Sequence, residues 1–324
     1  MSLLDHRLVV VTGKGGTGKT TVAATLGVVA ARAGRRTIVA EVARRADVAG
    51  ALAAPAGEPF AETQLRSGLF HISIDPEDAM EEYLRDQLPS RRMADLLGQS
   101  RSFGLLAAAT PGLREMLSMG KVWELAQDER RTPGARAYDL VVLDAPATGH
   151  GVAALAAPGT LARAARTGPV ARQGRVIAQW LADPARTAVV AVARAEELAV
   201  AETAALAEQL RARLGMELDG VVVNAVSSDR FDEDGEARLR AALMEGIEGV
   251  GAWAVRRALA DLDVARAQRA LVERLAGDLG LSPLCLPVAV DRRSGSADLD
   301  ALAAVIESDG HVLCDMRGQG DQRS

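Results

Sequence analysis

Cysteine and lysine are both scarce in this chain of 324 residues, and each shortage narrows what the protein can be. Two cysteines, Cys285 and Cys314, stand far apart and supply neither a disulfide framework nor a metal-binding motif. No apolar stretch approaches the roughly 18 consecutive residues of a membrane span, so stable membrane insertion is not expected. The start, Met1-Ser2-Leu3-Leu4-Asp5-His6, has no basic segment ahead of an apolar core and does not read as a secretory signal; a cytoplasmic protein is expected. Net charge is −5, from 38 basic and 43 acidic residues mixed along the chain. Nucleic-acid binding needs a clustered basic face, so no nucleic-acid partner is expected. Three of the basic residues are lysine and 35 are arginine, a bias under which lysine persists where arginine cannot replace it.

Two of those lysines share one loop, Gly13-Lys14-Gly15-Gly16-Thr17-Gly18-Lys19-Thr20-Thr21. An apolar β-branched run, Leu8-Val9-Val10-Val11, precedes it, and an alanine-rich helical segment that closes near Gly34 follows. Strand, glycine loop and helix in that order are the context of a phosphate-binding P-loop. Glycines let the backbone approach a polyphosphate and turn several N–H groups inward as an anion nest. The helix beginning near Gly18 adds the positive end of its dipole. Lys19 is a compact ammonium able to reach the β- and γ-phosphates. Thr20 offers a hydroxyl to Mg²⁺, which binds mostly through phosphate oxygens and water. A nucleotide with Mg²⁺ is therefore the expected ligand, and the resemblance described below implies that the nucleotide is ATP.

Lys14, directly after the first glycine of the pattern, is unusual. Placed before the helix, it is poorly sited to curl back onto its own phosphates, which makes a partner subunit's nucleotide the alternative target. A cation supplied in trans is worth roughly 10³–10⁵ in phosphoryl transfer. The plain alternative is a solvated loop lysine. This loop resembles the deviant P-loop of the ATPases related to nitrogenase iron protein, MinD, ParA and the ArsA type, and that resemblance implies a nucleotide sandwich dimer.

Further strand-like runs are 37–40, 69–74, 140–143, 188–192, 220–223 and 284–287. Apolar runs that do not alternate suit strands buried on both faces. Helical stripes lie between them, such as Leu206, Leu210 and Leu214 before Gly215, and Leu271, Leu275 and Leu279 before Gly280. The expectation is one α/β P-loop NTPase domain over residues 1–304, a mostly parallel sheet with helices on both faces. A helical subregion over 76–130 and a disordered tail over 305–324 complete it. That tail lacks the pattern of an amphipathic membrane anchor.

The second motif runs Tyr138-Asp139-Leu140-Val141-Val142-Leu143-Asp144-Ala145-Pro146-Ala147-Thr148-Gly149-His150. A lone aspartate after a buried strand is usually a strand cap. Beside a P-loop strand, Asp144 reads instead as a carboxylate that holds a Mg²⁺ water, with Pro146 and Gly149 shaping a γ-phosphate-sensing switch. His150 reads as a structural hydrogen-bonder or a general base. The run from Asp144 to His150 resembles the second switch of the ArsA-type ATPases, which include arsenite-pump motors and tail-anchored-protein targeting factors. Pro111-Gly112-Leu113-Arg114-Glu115 resembles that family's proline-glycine switch, and 195–203 its helix after the next strand. The resemblance spans most of 7–304. It implies that Asn224 pairs with adenine, although an asparagine at a strand end also suits a turn, and that Pro287 and the loop through Asp291 cover the base's other face.

The departures from the family carry equal weight. Ala43 falls where the family's water-positioning aspartate is expected. Glu41 could hold a Mg²⁺ water, or Asp47 could swing in, and Arg44 with Arg45 reads as a solvated loop pair. No cysteine occurs between Asp229 and Leu281, where many targeting factors carry a zinc clamp. The thiol cluster natural to an arsenite site is missing too. Between Gly159 and Ala182 there is a short helical stretch without methionine, where a client-cradling insertion is expected. Within 76–128, Met93, Leu96, Leu97, Phe103, Leu105, Leu106, Leu113, Met116, Leu117 and Met119 form either a packing layer or a groove for a hydrophobic or membrane-protein client.

Two functional readings follow. In the first, the chain is a Mg²⁺-dependent ATPase that switches as a dimer, with Lys14, Lys19, Asp144 and Glu41 as catalytic candidates and Thr20 and Asp144 at the metal. In the second it is a nucleotide-gated subunit, weak or inactive alone, in a heterodimer with a catalytic relative. An arsenite-pump motor ranks below both.

Overall fold

In the computed structural model, residues 2–87, 110–132, 134–228, 231–288 and 296–309 are described. One eight-stranded sheet runs in the order β3-β4-β2-β5-β1-β6-β7-β8. Its strands are β1 (Leu8–Thr12), β2 (Thr37–Val42), β3 (Thr63–Arg66), β4 (Leu69–Ile74), β5 (Leu140–Asp144), β6 (Thr187–Arg194), β7 (Gly220–Val226) and β8 (Leu284–Pro287). Every neighbouring pair is parallel except β3 with β4. The antiparallel β3 went unpredicted: Thr63-Gln64-Leu65-Arg66 is short and polar and carries no apolar run.

The helices among the described residues are α1 (Lys19–Arg32), α2 (Asp47–Ala51), α3 (Pro76–Gln87), α4 (Leu113–Leu125), α5 (Thr148–Ala165), α6 (Gly168–Leu181), α7 (Glu197–Leu214), α8 (Glu233–Met244), α9 (Gly249–Leu279) and α10 (Ser296–Ser308). Successive residues of each strand point to opposite faces, and both faces are covered. Val9, Val11, Val39, Leu140 and Val142 pack with Val22, Leu26 and Val29 of α1 and Leu299, Leu302 and Ile306 of α10. Leu8, Val10, Ile38, Val141 and Leu143 pack with α4, α5, α6 and α7 on the other face. The glycines expected to close two helices do so: Gly215 and Gly280 have φ 64° and donate to Arg211 and Ala276 respectively.

Two expectations change here. Helix α10 runs past residue 304 and buries Ile306 completely, so the apolar spacing carries the folded domain through Ser308. The remaining tail, 310–324, lies outside the described residues. Met116, Leu117 and Met119 are buried against neighbouring helices, so this part of the expected client surface is core. Met93, Leu96, Leu97, Phe103, Leu105 and Leu106 lie outside the described residues.

A buried ionic cluster fastens β3's approach and α4 to the sheet. Arg130, with its side chain almost fully enclosed, donates to Glu62 at 2.5 Å and to Glu124 at 2.8 Å, and Tyr138 donates to Glu62 at 2.7 Å. Burial alone would raise both carboxyls. The Arg130 hydrogen bonds, helped by Tyr138 on Glu62 and Lys121 on Glu124, outweigh it and hold both below their ordinary value of 4.5. Their stabilisation is therefore complete above about pH 4.5 and is lost as pH falls through the lowered values of the folded protein. Arg130→Ala leaves Glu62 with Tyr138 and Glu124 with Lys121 as remaining partners, and is expected to cost about 3 kcal/mol at neutral pH, the low end for a broken buried pair. Urea denaturation at pH 7 and pH 4 checks this: the wild type loses stability on acidification, and the variant starts lower with a smaller loss.

Candidate functional site

The P-loop bridges β1 and α1. Gly13 has φ 143°, and a Cβ there would sit 2.2 Å from the Val192 carbonyl oxygen on neighbouring β6, so the loop leaves the sheet along a path that admits no side chain. Gly18 caps α1 with φ 95°, and a Cβ there would strike the Asn224 amide at 2.1 Å. The loop is folded around the Lys14 carbonyl, which accepts from Thr17 Oγ1 at 2.9 Å and from Lys19 Nζ at 3.0 Å. Lys19 is thus held inside its own cradle, at the dipole-positive end of α1.

The Lys14 side chain points away. Its Nζ pairs with Glu202 of α7 at 3.0 Å. Asn224, at the end of β7, donates to the Thr17 carbonyl at 2.9 Å and so braces the P-loop. Ala225 beside it has φ 58°, and the β7–β8 register shifts between Val223 and Val226. Bulges of this kind re-aim side chains. Pro287 stands on the adjacent β8, in register with Val226; 289–295, most of the expected base-covering loop, lies outside the described residues.

Parallel pairing of β5 with β1 sets Asp144 opposite Val11, at the same strand end as the P-loop. Asp144 is completely buried. Its Oδ2 accepts from Thr20 Oγ1 at 2.6 Å, while Oδ1 has no partner among the described residues. Burial pushes this carboxyl up, against the Thr20 hydrogen bond and the charges of Arg45 and Lys19. Burial likewise draws Lys19 down, with Asp144 opposing and Arg45 adding to the fall. An orphaned carboxylate oxygen beside a threonine hydroxyl suits a cation with bound water, so Thr20 and Asp144 fit the Mg²⁺ role. No group of three or more His, Cys, Asp or Glu among the described residues is arranged to hold a metal ion, and Mg²⁺ in a nucleotide site needs none because phosphates supply ligands.

Several expectations are revised. Glu41 is fully buried and accepts from Asp47 N at 3.2 Å, Val48 N at 3.0 Å and His71 Nε2 at 2.8 Å. With both oxygens engaged, it braces the start of α2 rather than offering an oxygen to water. Arg44 is exposed, as expected of a solvated loop residue, whereas Arg45 is half-buried and turned into the site. Arg44 forms a close ion pair with Asp75. Arg45 Nη2 lies 3.1 Å from Thr20 Oγ1, 3.4 Å from Asp144 Oδ2 and 2.7 Å from Asp47 Oδ2. Sequence reasoning passed over Arg45 because arginines are frequent in this chain and nothing in their spacing distinguishes this one. The loop after Asp144 is shorter than expected: α5 starts at Thr148, so Gly149 and an exposed His150 are already helical.

Around this centre, Arg44, Asp75, Arg114, Pro146 and His150 line a cleft of about 490 Å³ between the loop after β2, α4 and α5. Gly112, with φ 79°, caps α4 and sets Arg114 at the rim, 3.8 Å from Glu77.

A glycine cradle between a parallel strand and a helix N-terminus, with a carboxylate on the adjoining strand, defines the fold of a P-loop NTPase. Within that class, the family described as anion-transporting ATPase (ArsA_ATPase) matches residues 6–167 and 164–244, and the chain belongs to it. ATPase BagA of Mycobacterium tuberculosis is 35% identical over 229 residues, covering 67% of this chain and 64% of that protein. ATPase GET3 of Kluyveromyces lactis is 27% identical over 264 residues, covering 70% and 74%. An arsenical pump-driving ATPase of Escherichia coli is 27% identical over 236 residues, covering 66% and 38%. The chain thus spans just under two thirds of the mycobacterial relative's length.

Alanine substitutions separate the glycines by role. Gly13→Ala, driving a Cβ into a backbone carbonyl, is expected to destabilise by about 1–3 kcal/mol. Gly15→Ala, whose nearest neighbour is Ala147 Cβ at 4.0 Å, is expected to be near neutral. Thermal melts of the two variants beside wild type check the contrast.

Proposed function

We propose that this chain is an ATP-hydrolysing member of its family that works as a nucleotide-switched dimer. The observation that carries the reading is the convergence of Lys19, Thr20 and a buried Asp144 with an unpaired oxygen at one end of β1 and β5. Lys19 would leave the Lys14 carbonyl for the β- and γ-phosphates, while the loop N–H groups and the α1 dipole hold the polyphosphate. Thr20 and Asp144 would hold Mg²⁺, which screens the phosphate charge when bound. Asn224 keeps the loop in shape through Thr17 and stands with Pro287 on the adjacent strand ends that would receive the adenine.

Lys14 acts in this scheme on a partner's nucleotide. Its ion pair with Glu202 keeps it off its own cradle, and closure of the dimer would carry it across. The partner is a second copy of the chain or a related ATPase. A client of hydrophobic or membrane-protein character stays within the reading only through 93–106, since Met116, Leu117 and Met119 are core. Among the described residues no helix is long and apolar enough to cross a membrane.

A second reading has its own support. Ala43 has no group to orient water, Glu41 is engaged as a brace, and Asp47 is tied to Arg45. These features favour a subunit that binds nucleotide and gates a catalytic partner. Steady-state ATP turnover of wild type and Lys14→Ala, with nucleotide binding measured on both, separates the two. The ATPase reading expects turnover in wild type and a fall of roughly 10³ or more in the variant, with binding kept. Binding without turnover in either would favour the gating subunit, and turnover unchanged by the substitution would remove Lys14 from the mechanism.

A further inference from the structure

The loop after β2 is bent by two successive non-glycine residues in the left-handed region, Ala43 at φ 72° and Arg44 at φ 51°. Such conformations persist where the surroundings impose them, and they cluster at functional sites. Here both flanks are pinned. Ala43 N donates to the Ile74 carbonyl at 2.9 Å, and Arg44 is paired with Asp75, whose other oxygen accepts from Glu77 N at 2.7 Å. On the far side, Glu41 takes the Asp47 and Val48 amides. Between these clamps lie Arg45 and Ala46, and the bend delivers the Arg45 guanidinium to the P-loop.

Where the guanidinium arrives is specific. Nη2 reaches Thr20 Oγ1 at 3.1 Å, Asp144 Oδ2 at 3.4 Å and Asp47 Oδ2 at 2.7 Å, and Nε reaches Asp47 Oδ2 at 2.9 Å. Thr20 and Asp144 are the two groups that would hold the nucleotide's divalent cation. A positive charge already stands on them, supplied by the chain itself. Mg²⁺ binds at about 2.0–2.1 Å and keeps several waters, so the hydrated ion and this guanidinium cannot share the position. A planar guanidinium also presents paired donors that match phosphate oxygens, and Nη1 has no hydrogen-bond partner among the described residues.

We propose that Arg45 is the resident cation of this site. It stands in for Mg²⁺ against the β- and γ-phosphates, so the chain binds nucleotide without a divalent metal, and Mg²⁺ enters only by displacing the guanidinium. The inference rests on the nucleotide reading above and deepens it. It also gives the strained turn at Ala43 and Arg44 a purpose: the turn aims a cation.

The test is equilibrium binding of ATP to the full chain by titration calorimetry, in excess EDTA and across a Mg²⁺ series, for wild type, Arg45→Ala and Arg45→Gln. Circular dichroism melts confirm that each variant is folded, and either variant suffices if the other is not. Wild type is expected to bind ATP in EDTA within about tenfold of its affinity in saturating Mg²⁺, roughly 1.4 kcal/mol. The Arg45 variants are expected to lose at least about tenfold more in EDTA, to recover in Mg²⁺, and to need less Mg²⁺ for half-recovery than wild type needs to show its metal effect. The same Mg²⁺ dependence in wild type and variants, or a wild type that binds only with Mg²⁺, would overturn the role of Arg45 while leaving the nucleotide site standing. Folded protein that binds ATP under no condition would overturn the nucleotide reading itself.

Discussion

A carboxylate with no access to solvent sits at the mouth of a parallel sheet, and its need for positive charge organises what surrounds it. Asp144 is enclosed at the end of β5, where desolvation disfavours its ionised form. Lys19 at the start of α1, the hydroxyl of Thr20 and the Arg45 guanidinium are drawn to it from two different loops. The strand order explains why these can meet. β5 lies between β1 and β2, so the P-loop after β1 and the bent loop after β2 flank the same strand end. Open parallel sheets bind ligands outside the carboxyl ends of their strands, and this one concentrates its charge there.

The same arrangement shows what a sequence can and cannot carry. Seven strands were legible as apolar runs, the inner ones because they are buried on both faces; the edge strand β8 still turns Leu284 and Leu286 inward, whereas the edge strand β3 carries no apolar run. The P-loop was legible because its glycines meet a local backbone demand that neighbouring residues reveal. Glu202 was part of a recognised helix, yet its contact with Lys14 spans 188 positions of chain and leaves no local trace. Arg45 was read as solvated for a related reason. Its direction is set by two left-handed residues that are alanine and arginine, where glycine would have marked the turn. The partners of Glu41 were not legible either: its hydrogen bonds run to the α2 amides and to His71, contacts that its sequence position does not reveal.

Family membership sets the class of chemistry, and the differences among relatives bear on the task. One relative is named for driving an arsenical pump. This chain has two cysteines, and Cys285 lies on β8, at the sheet edge beyond β7. Met116, Leu117 and Met119, which in sequence suggested an adaptable client surface, are spent on joining α4 to the layer beside it. At its centre, position 43 is an alanine in a left-handed turn, and that turn presents a guanidinium two residues later.

The central claim is that the strand-end cluster is a polyphosphate site with Lys19 at its core. Titration calorimetry of ATP and, separately, adenosine into wild type and Lys19→Ala, in Mg²⁺, tests it most directly. Charge-assisted hydrogen bonds contribute about 1.5–3 kcal/mol, so the variant should bind ATP roughly 10- to 150-fold more weakly. Adenosine, lacking phosphates, should bind both proteins alike and far more weakly than ATP binds wild type. Equal ATP affinity in the two proteins, with both folded, would contradict the account.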